Sequence, residues 1–334
     1  MKKLIALALV LSLCVCLLAG CGSKAQTAAP AAAPAAAPAA APAAAPAAEK
    51  LLIGVSFFGL SNSEFNVALK DAINEQYEAN YKDVADILFL DADGDPTVQL
   101  SQIDDMIAQG IDALILNPND KDALAGAVEK CKELGIPCIE LCNETAAVEA
   151  RTSYVGSEDI VSGRMLGEAL LSKAGDNAKV VVLHGWVGQT PEVRRHEGLQ
   201  EVIVSEFPTA EIVYEKVCDW DRATAQTAVE DIIQSGLDFN VVFCENDEMA
   251  LGAMVALEEA GKIGTVYCAG IDAVPEALQA VKDGRLTCTI FQDAHTQGTT
   301  SLDVAIQAAM GEKIEPMYSI PYATITKENV DQYL

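Results

Sequence analysis

The sequence has few aromatic residues and few basic ones. Aromatic side chains make up 5% of the 334 residues, and 22 Lys and Arg stand against 49 Asp and Glu, which gives a formal net charge of −27. Because no basic surface is available to displace counterions from phosphates, this balance argues strongly against nucleic acid as a partner. It also argues against adhesion to anionic lipid through a basic face.

Motifs that mark common catalytic and nucleotide-binding sites are absent. Neither GxxxxGK[ST] nor GxGxxG occurs, and there is no HExxH or GxSxG. The three histidines, His184, His196 and His295, are widely spaced and form no metal-binding pattern. A hydrolase built from Cys244, His184 and Asp247 is unsupported, because nothing in the sequence places an oriented base beside the thiol. We therefore expect no enzyme, no cofactor and no metal.

Cysteine usage argues against a paired zinc motif and favours reduced thiols. There is no CxxC, and the CxxxC spacing of Cys138 and Cys142 has no matched second pair and no nearby histidine. The seven cysteines after the N-terminal region are an odd number, so at least one stays free or pairs outside the chain. We expect mostly reduced, buried thiols, which for an exported protein hints at a reducing or anaerobic habitat.

The first 20 residues predict an export signal. Lys2 and Lys3 precede an apolar stretch from Leu4 to Leu18, which is shorter than the roughly 20 residues of a spanning helix. The segment Leu18-Ala19-Gly20-Cys21 is similar to the lipobox of bacterial lipoproteins, in which the cysteine corresponding to Cys21 is lipidated and becomes the N-terminus. An uncleaved signal anchor is the alternative. More than one acyl chain would make anchoring at Cys21 stable.

Residues 21–50 predict an extended tether. Within this alanine-rich tract a proline recurs at every fourth position, which prevents helix by removing backbone donors and restricting the preceding residues; the prolines are Pro30, Pro34, Pro38, Pro42 and Pro46. At ~3.1 Å per residue the tether could reach roughly 90 Å. Such a tether would hold the following domain away from the envelope surface. The alternative is a repeat-expanded spacer of no fixed length.

Residues 51–334 alternate strand-like and helical patterns. Several strand candidates are continuous Val/Ile/Leu runs, which is typical of parallel strands covered on both faces. The candidates are Leu52–Phe57, Asp86–Leu90, Ala113–Leu116, Pro137–Leu141, Val180–Leu183, Glu211–Val217, Val241–Cys244, Val266–Ile271 and Thr287–Phe291. The apolar fraction of 51% excludes a wholly disordered chain. Nine or more strands in the 284 residues from 51 to 334 predict an α/β fold with two doubly wound parallel sheets.

Polar and aromatic residues follow the carboxyl ends of many of these strands, where open α/β sheets bind ligands. They are Phe58, Phe65, Cys142, Asn143, Gln189, Arg195, Trp220, Asn246, Asp272 and Gln292. Each has an alternative interpretation: Asn246 and Asp272 could cap helices, Trp220 could be core and Arg195 could form a surface ion pair. Together they suit a sugar, because aromatic faces cover C–H surfaces and the polar groups pair with vicinal hydroxyls.

Four segments carry a family resemblance: Tyr154–Ser157, Asn246–Gly252, Gly270–Leu278 and Ile320–Tyr322. With them, residues 51–334 resemble the galactose/glucose- and ribose-binding proteins, the type I solute-binding proteins of ABC sugar importers. The resemblance implies that Phe65 and Trp220 sandwich the sugar ring. It implies that Arg195, Asn246, Asp272 and Gln292 bind the ligand, with Phe58 near it and Ser63 or Asn62 as a polar contact.

Several positions depart from the family pattern and leave the sugar open. Cys142 stands where Asp or Asn is usual, and Asn143 where Arg or Lys is common, so one hydroxyl-binding group is missing or shifted by one residue. Gln189 replaces a His, and Pro191 an Asp, of the galactose/glucose pocket. The calcium-binding loop of that form is absent, since residues 174–177 are too few for it.

We therefore expect two lobes, 51–156 with 293–319 and 157–292 with 320–334, joined by a three-strand hinge near Gly156-Ser157, Gln292-Asp293 and Pro321-Tyr322. The expected protein is an exported, lipid-anchored monomer that closes on a small neutral sugar or polyol and delivers it to an ABC permease. An alternative ligand is an inositol or a furanosyl molecule. An alternative role is that of a sensor that docks a receptor kinase. A sugar-responsive transcription regulator shares this fold, but a lipobox stands where its DNA-binding helices would be.

Overall fold

The computed structural model describes residues 49–61 and 63–334. The predicted signal peptide, the lipidation site Cys21, nearly all of the predicted tether and Asn62 lie outside the described residues. In the described part, no helix has both the length and the apolar character needed to cross a membrane.

The described chain alternates strands and helices along residues 51–334. The strands are β1 (Leu51–Phe57), β2 (Ala85–Asp91), β3 (Ala113–Leu116), β4 (Cys138–Leu141), β5 (Ser153–Gly156), β6 (Lys179–His184), β7 (Glu211–Val217), β8 (Val241–Cys244), β9 (Tyr267–Asp272), β10 (Cys288–Phe291), β11 (Met317–Ser319) and β12 (Ala323–Ile325). The helices are α1 (Glu64–Gln76), α2 (Pro96–Gln109), α3 (Ala125–Leu134), α4 (Asp159–Ala174), α5 (Thr190–Ser205), α6 (Arg222–Ser235), α7 (Asp247–Glu259), α8 (Pro275–Asp283) and α9 (Ala294–Ala309).

The strands form two six-stranded sheets, one in each lobe. Their orders are β11-β5-β4-β3-β1-β2 and β12-β10-β9-β8-β6-β7. Every pairing is parallel except that of β12 with β10, which is antiparallel. In β6 the consecutive residues Val180, Val181, Val182 and Leu183 are all fully buried, because helices cover both faces of the sheet. The predicted fold class is thereby confirmed, and the continuous apolar runs have the expected cause.

The chain passes between the two sheets three times. It leaves the first sheet after β5 and enters the second with α4 and β6; it returns between β10 and α9, and it crosses again between β11 and β12. Helix α9 packs against α1 and so belongs with the first lobe. The lobe boundaries given above stay predictions at the level of single residues.

Helices α4 and α5 approach closely enough to place one side chain of α5 at the cleft. A Cβ on Gly163 of α4 would lie 2.1 Å from the carbonyl oxygen of Arg195 on α5, so only glycine permits this packing. The close approach sets Arg195, which is 4% exposed, between the helices and the carboxyl edge of the second sheet.

Candidate functional site

A cavity lies in the cleft between the two lobes. All eleven residues predicted to bind ligand line it, namely Phe58, Ser63, Phe65, Cys142, Asn143, Gln189, Arg195, Trp220, Asn246, Asp272 and Gln292. The cavity measures about 100 Å³. Because a single water needs roughly 10–15 Å³ on this scale, the space suits one small molecule and not a peptide or an oligosaccharide.

Arg195 is held directly by groups from three segments of the chain, and a fourth segment supports one of these groups. Its Nε and Nη2 donate to Asp159 Oδ1 at 3.3 and 3.2 Å, and Nη2 also donates to Gln292 Oε1 at 2.9 Å. Its Nη1 donates to the carbonyl oxygen of Glu245. Tyr322 in turn donates its hydroxyl to Asp159 Oδ1 at 2.9 Å. The guanidinium has five N–H groups, so one remains for a ligand in the cavity.

Asp272 supplies a second buried ionisable group to the same cavity. Its backbone has φ 133°, a strained value for a residue with a side chain. No described residue donates a hydrogen bond to its carboxylate, so it is not the helix cap that the sequence allowed; α8 begins after Val274 instead. Burial raises the pKa of Asp272 well above its ordinary value, although the charge of Arg195 acts in the opposite direction. Ligand hydroxyls would relieve this desolvation.

Aromatic side chains wall the cavity from both lobes. The Trp220 indole donates from Nε1 to Gln189 Oε1 at 2.7 Å, and its ring lies 5.8 Å from the centre of the Arg195 guanidinium. Phe58 of the first lobe and Trp186 of the second have ring centroids 5.5 Å apart. Trp220 is also part of the second lobe's core, so this residue both lines the cavity and packs in the core.

Two lining amides carry buried atoms that no described residue satisfies. Gln189 Nε2 has no partner, although its Oε1 accepts from Trp220. Asn117 Oδ1 has none, although its Nδ2 donates to the carbonyl oxygen of Leu141 at 2.9 Å. Unpaired buried polar atoms cost free energy. One donor and one acceptor are therefore available to a hydroxyl-bearing molecule in the cavity.

Cys142 and Asn143 line the cavity but point their polar atoms at protein. The Cys142 thiol lies 2.7 Å from Gln297 Oε1, and burial raises the pKa of this thiol well above its ordinary value. Asn143 donates from Nδ2 to the carbonyl oxygen of Pro118 at 3.0 Å. Cys142 has φ 63°, which turns the chain at the carboxyl end of β4.

Two lining residues are also helix caps. Asn246 Oδ1 accepts from the Met249 backbone at 2.9 Å and begins α7. Ser63 Oγ accepts from the Asn66 backbone at 3.1 Å and begins α1. Capping fixes each side chain at the cleft edge of its lobe, so the capping and site interpretations are compatible for both residues.

The cavity is enclosed by direct contacts between the lobes. The Lys121 backbone N–H donates to the carbonyl oxygen of Gly188 at 3.1 Å, and the Thr190 hydroxyl donates to the carbonyl oxygen of Glu144 at 2.9 Å. Together with the Phe58–Trp186 contact, they hold the lobes closed around the cavity.

Residues 53–313 match the family model described as "Periplasmic binding protein domain". The chain belongs to the periplasmic binding protein family. This confirms the family expected from the four motif segments.

Relatives of known structure and curated relatives agree with this assignment. The ribose import binding protein of Salmonella typhimurium is 31% identical over 267 residues, which covers 80% of this chain and 88% of the relative. An ABC transporter solute-binding protein from Bacillus halodurans, solved with myo-inositol, has 38% identity and a TM-score of 0.81 over 85% of this chain and 97% of that one. The Caulobacter myo-inositol binding protein has 27% identity and a TM-score of 0.80, with 86% and 97% covered.

This binding protein does not assemble the hydrolase considered from the sequence. Asp247 accepts from the Thr289 hydroxyl at 2.8 Å, and His184 Nδ1 and Nε2 lie 2.9 and 3.1 Å from Glu245 and Glu215. Burial raises the pKa of the Cys244 thiol well above its ordinary value. Among the described hydrogen bonds His184 engages neither Cys244 nor Asp247.

Among the residues of the site that were missed from the sequence, three make contacts that define it. Asp159 begins α4 and holds Arg195; Asn117 follows β3 with a free buried acceptor; Trp186 contacts the opposite lobe. Asn117 and Trp186 follow the carboxyl ends of predicted strands, so strand-end position could have indicated them. Asp159 gave no such signal, because its role depends on the packing of α4 against α5.

Proposed function

We propose that this protein captures one small neutral polyol, a monosaccharide or a cyclitol, between its two lobes for an ABC importer. The observation that carries the proposal is the enclosed cavity, which is lined both by aromatic side chains and by buried polar atoms that have no partner among the described residues. Hydroxyl groups can both donate and accept, so a ring with several hydroxyls can satisfy such a set.

The charges of the cavity favour a neutral ligand over an anion. Arg195 already contacts Asp159, and it lines the cavity together with Asp272. Burial already disfavours the ionised form of Asp272, and a ligand carboxylate or phosphate would disfavour it further, because like charges at close range in a low-dielectric site repel strongly. The Arg195 fork and the Asp272 oxygens instead offer a donor and an acceptor to adjacent hydroxyls.

A monosaccharide is the first candidate, and myo-inositol is the second. Curated relatives at 30% identity or more are named for ribose and xylitol. The structure at 38% identity contains myo-inositol, which specifically favours the cyclitol. The Cys142 thiol supports a ligand other than ribose, because it takes the place of the family's carboxylate or amide and its proton is directed at Gln297.

The proposal also includes the N-terminal region and the partners. Lipid attachment at Cys21, followed by the proline-punctuated tether, would hold the protein at the outer face of the cell membrane beside its permease, acting as a monomer. A sensor docking a receptor kinase is the competing role, and a permease and ATPase encoded alongside would count against it.

The ligand class can be tested on the full chain purified under native conditions. Mass spectrometry of the small molecules it carries would identify the natural ligand. A thermal-shift panel would then compare D-ribose, D-allose, D-glucose, xylitol and myo-inositol with the anions D-glucuronate and myo-inositol phosphate. A true ligand at 100 times its Kd should add about 2.7 kcal/mol of stability.

We expect one neutral polyol to stabilise the protein far more than its anionic analogue. Stabilisation by an anion alone would overturn the charge argument, and stabilisation by none of the polyols would overturn the proposed function. Asp272→Asn is the matched variant: it should reduce the response to the polyol while weakening discrimination against the anion.

A further inference from the structure

The fold brings together three metal-ligating side chains that are far apart in the sequence. His184 ends β6, His196 lies on α5 and Glu215 lies on β7. Their ligand atoms all lie within 4.8 Å of one another. His184 Nε2 is 3.1 Å from Glu215 Oε2. Two ligands bound tetrahedrally to Zn²⁺ at roughly 2.1 Å are about 3.4 Å apart, so this pair needs only a small adjustment.

The neighbouring groups hold one ring nitrogen of each histidine and leave the other facing the cluster. Glu245 Oε1 lies 2.9 Å from His184 Nδ1 and Glu215 Oε2 lies 3.1 Å from His184 Nε2, so in this arrangement both ring nitrogens donate to carboxylates. An incoming ion would displace the Nε2 proton, while Nδ1–H would stay on Glu245. The Gln200 amide lies 2.7 Å from His196 Nε2 and can accept an Nε2 proton through its oxygen once the amide is rotated. His196 Nδ1 is then a free acceptor, and this buried atom has no partner among the described residues.

We propose that His184 Nε2, His196 Nδ1 and the Glu215 carboxylate bind one divalent transition-metal ion of the Zn²⁺ class. Imidazole nitrogen and carboxylate oxygen are ordinary zinc ligands, and three of them leave a fourth position for water. Glu245 and Gln200 serve as the outer partners that orient the two rings, as carboxylates and amides do around zinc-bound histidines. Glu215 is 48% exposed, so the ion can enter from solvent.

The site is connected to the ligand cavity through a short loop. Residues 185–189 join β6 to α5 and carry Trp186 and Gln189, both of which line the cavity. An ion bridging His184 and His196 would tie the two sides of this loop together. Because ordering a loop before binding lowers the cost of ligand binding, we infer that zinc raises ligand affinity. This second effect rests on the proposed function, whereas metal binding itself does not.

The test is a metal titration of the full chain after removal of metals by a chelator. Zn²⁺ binding is measured by calorimetry, and Co²⁺ is used as a spectroscopic substitute whose visible absorption reports tetrahedral coordination. His196→Gln and Glu215→Gln are the test variants. His295→Gln is the control, because His295 is an exposed histidine of the first lobe paired only with Glu75 at 3.4 Å among the described residues.

We expect one ion per chain, weakened about 100-fold or more in either test variant and unchanged in the control, since loss of even an outer partner costs 10–100-fold in metal affinity. Circular dichroism would establish that the variants are folded. Absence of Zn²⁺ binding by the unmodified chain would overturn the site, and so would binding by His196→Gln and Glu215→Gln as tight as that of the unmodified chain. Metal binding without any change in polyol affinity would overturn the coupling alone.

Discussion

The indole of Trp186 lies against Gly94 of the opposite lobe, with its Cη2 atom 2.6 Å from the position that a Cβ would take on Gly94. The contact exists only when the lobes are closed, because the two residues belong to different lobes. Any side chain at Gly94 would therefore overlap with Trp186 and oppose closure of the lobes.

Gly94→Ala should lower ligand affinity about 10-fold or more, because overpacking at a tight contact costs roughly 1–3 kcal/mol and here opposes only the closed state. Calorimetry with the identified ligand would measure this loss. Gly110→Ala is the matched control: Gly110 has φ +82°, close to the +83° of Gly94, but nothing lies within 4 Å of its Cβ position. If both variants bind equally, the contact does not govern closure.

Asp159→Asn should weaken ligand binding by roughly 10–100-fold although Asp159 is not itself a lining residue. The substitution removes the charge that faces Arg195 at 3.2 Å, and a buried charge that loses its partner is strongly destabilising. Tyr322→Phe removes only the hydroxyl that bonds Asp159 and should have a smaller effect. Calorimetry on the two variants ranks them; equal losses would contradict a positioning role for the carboxylate.

Trp220→Ala should abolish detectable ligand binding, whereas Trp220→Phe should retain part of it. Phenylalanine keeps an aromatic face but loses the Nε1 donor to Gln189. Intrinsic fluorescence should change on ligand addition, and Trp186→Phe assigns the signal to Trp220, since the chain has 2 tryptophans. Unchanged affinity in a folded Trp220→Ala would remove the stacking role.

Stability should fall with rising pH through the titration of Asp247. Burial raises its pKa to about 7 from an ordinary 3.8, although Thr289 and the Val274 backbone act in the opposite direction. Between about pH 4 and pH 7 the folded state then binds more protons at Asp247 than the unfolded state does. The contribution of this group to the free energy of unfolding therefore falls as pH rises, by at most about 1.4 kcal/mol per pH unit.

Asp247→Asn should remove that slope, as followed by urea unfolding across the same pH range. The exposed Asp176→Asn controls for the loss of one negative charge and should leave the wild-type profile. A profile for Asp247→Asn that parallels the wild type would contradict the raised pKa.

Cys21→Ala should release the full chain from the membrane fraction of expressing cells. Detergent-phase partitioning and intact mass would detect the loss of the diacylglyceryl group, since stable anchoring needs more than one acyl chain. Cys16→Ala is the control, because the small residues expected before a lipid acceptor are missing there. Equal partitioning of the two variants would argue for an uncleaved signal anchor.

The main sheet elements were predictable from sequence because their signal is local. Runs such as Val180–Leu183 are apolar throughout, and all nine predicted strands are present in the structure. The strands β5, β11 and β12 were not among them. Unlike predicted strands of the same length, they have no continuous apolar run, since they read Ser-Tyr-Val-Gly, Met-Tyr-Ser and Ala-Thr-Ile.

The cavity was predictable to the extent that strand ends define it. Parallel strands bring their carboxyl ends to one edge, so residues such as Trp220 and Asp272 could be placed at the cavity. Contacts that depend on tertiary packing could not: Asp159 holds Arg195 across two helices, and His184 meets His196 around a loop. The sequence spacing of those histidines suggested no metal site, whereas the fold places their ring centroids 5.0 Å apart.

Both sheets take an edge strand from the last part of the chain, β11 from Met317–Ser319 and β12 from Ala323–Ile325. A polypeptide that emerges from a membrane pore N-terminus first can complete neither lobe until this segment has emerged. Native assembly of both lobes therefore comes after residues 317–325 are available. A truncation that removes residues 317–334 should leave two unfinished sheets, not one intact lobe beside a damaged one.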